Sequence, residues 1–135
     1  MKKKIIFFMP SMEGGGVEKN LIILLNFLSN KLQNLNVISF DELFKKKISK
    51  KVIFKSFIKK PLSVNKYLKY LVCLALLIKE IIFKDVIVVS FQANIYCLII
   101  CKILNKKIIV RSNSSPYGWT KNLFKNYIYS YFIKK

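Results

Sequence analysis

Lys4-Ile-Ile-Phe-Phe-Met-Pro-Ser-Met-Glu-Gly-Gly-Gly-Val-Glu-Lys-Asn-Leu-Ile-Ile-Leu-Leu-Asn26 is the stretch whose reading decides the fold. Its apolar run over residues 5–9 breaks at Pro10, passes through Gly14, Gly15 and Gly16, and resumes rich in leucine and isoleucine. A short continuous apolar run is the pattern of a strand buried on both faces of a parallel sheet. Beyond the glycines, Val17, Leu21, Leu24, Leu25, Leu28 and Leu32 fall on one helical stripe, with Lys19, Asn26 and Ser29 off it. Strand, tight loop and helix in this order set a helix N-terminus beside a strand end. Such a terminus has unpaired backbone N–H groups and a partial positive charge, which suit phosphate or another anion. Of the chain's 4 glycines, all but one lie in this loop, and a chain so poor in glycine has a backbone reason to cluster them. A glycine-rich turn that merely closes a strand–helix connection is the plainer alternative. Glu18, in the first helical turn, complements the helix dipole.

Outward from this unit the pattern repeats. Residues 35–40 read as a second strand ending at Asp41-Glu42, and a short third strand is predicted at 52–54 within a lysine-rich, semi-amphipathic segment. Ser63 is the expected cap of a long helix reaching to about Phe83. Its centre, residues 70–78, is wholly apolar, but Lys69, Lys79 and Glu80 confine it to a run far short of the ~20 residues that a membrane span needs. A buried crossover helix is predicted there. Residues 85–90 form a strand, 92–104 an apolar helix, 107–111 another strand and 121–133 a last helix capped by Thr120. The expected fold is α/β: a doubly wound, Rossmann-like parallel sheet of about five strands, incomplete at the C-terminus. Ligands of such sheets bind at the carboxyl ends of the strands, which here are the loops 10–16, 90–94 and 111–116.

Composition bounds the partners. The chain has 135 residues, 25 of them basic against 6 acidic, for a net charge of +19. That field attracts nucleic acid, anionic headgroups or phosphorylated substrates, although a coding bias toward lysine explains it equally well. With no histidine, His-containing zinc sites and His-based triads are excluded, and no metal is expected. Cys73, Cys97 and Cys101 sit in apolar runs and read as small buried hydrophobes in a reducing compartment. The charged N-terminus has too short an apolar run for a signal peptide. A NAD fingerprint fails: Gly14 and Gly16 supply its first glycines, but Lys19 stands at the third, although Asp41 is placed where a ribose-binding acid would be.

Three motifs in order point elsewhere. Residues 5–21 resemble the opening of the family-four retaining glycosyltransferases, in which a first strand leads into a Gly-Gly-x-Glu loop and a helix. Lys84-Asp-Val-Ile-Val-Val-Ser-Phe-Gln-Ala-Asn94 is similar to that family's Pro-Asp-(apolar)-Ser segment, with Lys84 in place of proline. Ile108-Ile-Val-Arg-Ser-Asn-Ser-Ser-Pro116 is similar to the loop after its next strand. The resemblance implies the truncated N-terminal, acceptor-side domain of a two-Rossmann-domain (GT-B) enzyme, spanning residues 1–135. Such an enzyme moves a sugar from a nucleotide-sugar donor to a surface-polysaccharide or lipid-linked acceptor, and the donor-binding C-terminal domain is expected to be missing. By that resemblance Gly14, Gly15 and Gly16 would face the donor phosphates. Glu18, Gln92, Asn94, Arg111, Asn113 and Ser114 are the acceptor candidates. Arg111, the chain's one arginine, has a bidentate grip that lysine lacks, or else pairs structurally within its loop. The family often places a histidine in the cleft, and this chain departs from it there. No cofactor beyond the nucleotide sugar is implied, and the expected location is cytoplasmic, on the inner face of the cell membrane. A basic nucleic-acid-binding module, an NAD-binding fragment and a small membrane-anchored protein remain the alternatives.

Overall fold

Residues 3–111 are described in a computed structural model of the chain; Asn113, Ser114 and the helix expected over 121–133 lie outside them. The first strand, β1 (Lys4–Phe8), is central, and the sheet runs β3-β2-β1-β4-β5 with every pairing parallel. Its other strands are β2 (Leu35–Ser39), β3 (Ile53–Ser56), β4 (Val86–Ser90) and β5 (Lys107–Val110). Successive strand residues face opposite sides, so neighbouring aromatics serve different cores. Phe7 packs with Leu21 and Leu25 of α1 (Gly16–Leu28) on one face. Ile6 and Phe8 pack on the other, against α2 (Lys66–Ile81) and α3 (Asn94–Ile103) through Leu77, Ile81, Cys97 and Cys101. The doubly wound α/β fold is the one expected.

Element ends differ from the sequence reading for local reasons. Helix α1 stops at Leu28 rather than 32, because the N–H groups of Asn30 and Lys31 turn back to carbonyls three residues away and tighten the last turn. Leu32 is thereby left exposed, off the predicted stripe. Asn34 then takes a left-handed φ of 62° to enter β2, a conformation asparagine tolerates. The cap of α2 is Asn65, whose side chain accepts from the Tyr67 N–H at 2.9 Å, and not Ser63. The third strand begins at Ile53, one residue later than predicted, because Val52 is drawn into the core under α1.

The predicted burial of α2 is correct for one side only. Cys73, Leu74, Leu77 and Ile81 face the sheet, whereas Leu68, Leu71, Ala75, Ile78 and Ile82 are exposed along the opposite side. Among the described residues the α2 face of the sheet carries one layer of helices, so α2 keeps a second apolar stripe outward. No helix among the described residues is long and apolar enough to cross a membrane.

The cysteines are buried free thiols, as expected. Burial pushes Cys73 and Cys97 up to about 12 and Cys101 up to about 11, which leaves almost no thiolate at neutral pH. Ellman's reagent is therefore expected to leave all three untouched in native buffer and to titrate them only after unfolding in guanidinium. Prompt reaction of any one in native buffer would contradict this packing.

Candidate functional site

The strand order turns between β1 and β4: the chain leaves β1 toward β2, and the later crossover returns it on the other side. At such a switch point the loops after β1 and β4 lead to opposite faces of the sheet, and the rule for open α/β sheets puts the ligand crevice at the carboxyl edge between them. Helix α1 starts on one side of it and α3 on the other. Across the crevice floor the Ser11 N–H donates to Gln92 Oε1 at 3.0 Å, and the Phe91 N–H donates to the Phe8 carbonyl at 3.0 Å.

Behind this bridge lies a buried polar relay. The fully buried Ser90 hydroxyl donates to Asn94 Oδ1 at 2.8 Å, with the Gln92 carbonyl oxygen also at 2.9 Å. Asn94 Nδ2 in turn donates to the Arg111 carbonyl at 3.0 Å, tying the loop after β4 to the end of β5. Ala93 enters α3 in the left-handed region, φ 55°, a conformation that costs a residue with a Cβ and is held by this bonding. The Arg111 guanidinium carbon stands 5.0 Å from the centre of the Phe91 ring, a stacked cation. Gln92, Asn94 and Arg111 thus lie at one edge of the sheet, but the Asn94 amide is engaged at both ends and holds loops in place.

The glycine loop carries its own anion. Gly14 has φ +89°, and a Cβ on Gly15 would lie 2.9 Å from Glu18 Oε2. A side chain on Gly16 would meet nothing within 4 Å, so space does not demand glycine there. Glu18 is buried and folds back over the loop, its Oε1 accepting from the Glu13 N–H at 3.4 Å, while the Glu13 carboxylate accepts from the Ser11 hydroxyl at 2.7 Å. This is a variant of the capping box, with the third helical residue reaching past the cap. A phosphate approaching the start of α1 meets that carboxylate. Asp41, the residue in the ribose-acid position, instead accepts the Leu43 N–H of its own turn at 3.1 Å and is buried. At the end of β2 the Ser39 hydroxyl is buried without a partner among the described residues.

Sequence reasoning named the loops 10–16 and 90–94 but did not single out Ser11 and Ser90 within them; a small polar residue at the end of an apolar run was the signal. It also missed a charged cluster at the opposite, amino-terminal end of the sheet. There Glu80 of α2 accepts from Lys4 Nζ at 2.6 Å and Lys55 Nζ at 2.5 Å, with Lys84 Nζ at 3.6 Å. Asn36 is buried beside them; with its amide assigned to satisfy both ends, its oxygen accepts from Lys4 at 3.1 Å. A cavity of about 520 Å³ opens beside this cluster, between Lys55, Phe83 and Lys84. It lies at the end of the strands away from the crevice. No group of acids and cysteines able to hold a metal occurs among the described residues. No family model, curated protein or solved structure matches the chain, so a functional reading rests on the crevice and the motifs that line it.

Proposed function

We propose that the chain is the acceptor-side half of a retaining glycosyltransferase of the family-four kind. It would work with a donor-binding half to move a sugar from a nucleotide-sugar to a lipid-linked or surface-polysaccharide acceptor on the cytoplasmic side of a membrane. The observation that carries this reading is the Ser11–Gln92 bridge, which brings the glycine loop and the loop after β4 to one crevice. Both lie within motifs that resemble that family. In this reading Gly14 and Gly15 bring bare backbone close to the donor phosphates, and Gln92 and Arg111 face the acceptor. Asn94 sets their positions from behind, and Glu18 guards the helix start until the donor arrives.

Titration with UDP tests the glycine loop. Weak binding is expected for the native chain, tightened by about fivefold in Glu18→Gln, because a like charge beside the phosphate is removed while the side chain keeps its shape. Absence of UDP binding in both proteins, or equal affinity in both, would remove the phosphate role. Transfer from any UDP- or GDP-sugar by the 135-residue chain alone would overturn the division into two halves.

A further inference from the structure

We infer that the outer face of α2 rests on an anionic bilayer surface, with the helix lying along it. Leu68, Leu71, Ala75, Ile78 and Ile82 follow one another at alternating spacings of three and four residues, the repeat of a single helical stripe. This stripe lies opposite Cys73, Leu77 and Ile81, which bury the other side of the helix in the core. Leu71 is 67% exposed, and beyond the helix end Phe83 is 91% exposed. A continuous apolar stripe of this length on an exposed face marks an interaction site.

Charge selects the occupant. Lys79 is exposed beside the stripe, and the exposed Lys59 and Lys60 precede the helix. Glu80, the one acid of α2, is turned inward to Lys4 and Lys55, so the outward face carries no negative group. A second copy of a chain with net charge +19 would bring like fields together, whereas an anionic bilayer answers both the apolar stripe and its basic rim. Nucleic acid answers the lysines but leaves the leucines and isoleucines unmatched. With 16 residues, α2 is about 24 Å long at the helical rise, shorter than a bilayer core of ~30 Å, which suits a helix lying in the interface. This inference is independent of what the crevice binds.

The test must separate the apolar face from the overall charge, which any anionic vesicle would attract. Full-length protein is co-sedimented with phosphatidylcholine vesicles and with vesicles of phosphatidylcholine and phosphatidylglycerol, beside Leu71→Gln/Ile78→Gln, which keeps every charge. The native chain is expected on the anionic vesicles, and the double variant is expected to partition roughly tenfold less or weaker still. Ile23→Gln, an exposed apolar position on α1, serves as a control expected to bind like the native chain. Equal binding by the native and double-variant proteins would overturn the proposal, since charge alone would then suffice. So would a native dimer that the double variant dissolves, because the face would then belong to a second copy. Loss of thermal stability in the double variant, with no vesicle binding by the native chain, would show the face covered within the chain and overturn it too.

Discussion

Replacing Glu80 with glutamine is expected to cost about 2–3 kcal/mol of stability at neutral pH, or roughly 10 °C in Tm. The carboxylate is largely enclosed, with its side chain 14% exposed, and accepts hydrogen bonds from the ammonium groups of Lys4 and Lys55. Burial raises its pKa, but those two hydrogen bonds and charges outweigh burial and hold it down at about 2, against an ordinary 4.5. At ~1.4 kcal/mol per pKa unit the full shift would amount to about 3 kcal/mol, less some screening by water at the partly exposed Lys55. The sign follows from linkage: a lowered acid contributes stability above its unfolded value and loses it as pH falls toward its folded value. Native protein should therefore lose this contribution between about pH 4.5 and pH 2, and the glutamine variant should show a flatter profile there. Thermal melts across that range decide it. Identical acid slopes in the two proteins would mean that the cluster contributes nothing net. The exposed Lys45–Glu42 pair, at 3.0 Å, sets the contrast, since such surface pairs contribute about 0–1 kcal/mol.

A still larger loss is expected for Phe8→Ala. Phe8 is fully buried at the end of the central strand, in the core shared with α2 and α3, and its carbonyl accepts the Phe91 N–H that anchors the loop after β4. Removing a buried phenyl ring costs about 3–5 kcal/mol, a large share of the ~5–15 kcal/mol that holds a domain together. Urea denaturation should show the midpoint falling sharply with the slope unchanged. A loss of under ~1 kcal/mol would be incompatible with the packing described. The crevice should weaken in parallel, because Phe8 and Ser90 stand side by side in paired strands.

The sheet was legible because β1 and β4 announce themselves as apolar runs with polar ends, and because helical stripes separate them. The edge at which the loops after β1 and β4 part was legible through the rule of the topological switch, which needs only strand order. What pattern reading does not reach is how a polar side chain is spent. Lys4 and Lys55 looked like two more lysines in a lysine-rich chain, and only the fold brings them to a glutamate 76 and 25 residues away. Asn94 looked like a ligand contact, yet its amide is occupied by Ser90 and Arg111. Glu18 was read as a partner of the helix dipole; it is that, and its carboxylate also folds back over the glycine loop. For α2, hydropathy reported the character of each face without reporting what lies against it.

The central strand has one further consequence. Ile5, Ile6, Phe7 and Phe8 are apolar toward both layers, so sliding the strand by one residue swaps Phe7 with Phe8 and leaves the apolar pattern almost unchanged. Hydrophobicity alone is indifferent to the slide. The two ends are not. Moved one way, Pro10 takes the place of Met9, whose N–H donates to the Ile38 carbonyl at 3.0 Å, and proline has no hydrogen to give. The same movement replaces Lys4 by Ile5 opposite Glu80 and strands a carboxylate. Moved the other way, Lys4 is carried onto the α1 side of the sheet, away from its glutamate, and a charge is pressed toward the apolar core. Lys4 and Pro10 thus act as two mechanical stops on a strand that would otherwise run freely between its neighbours.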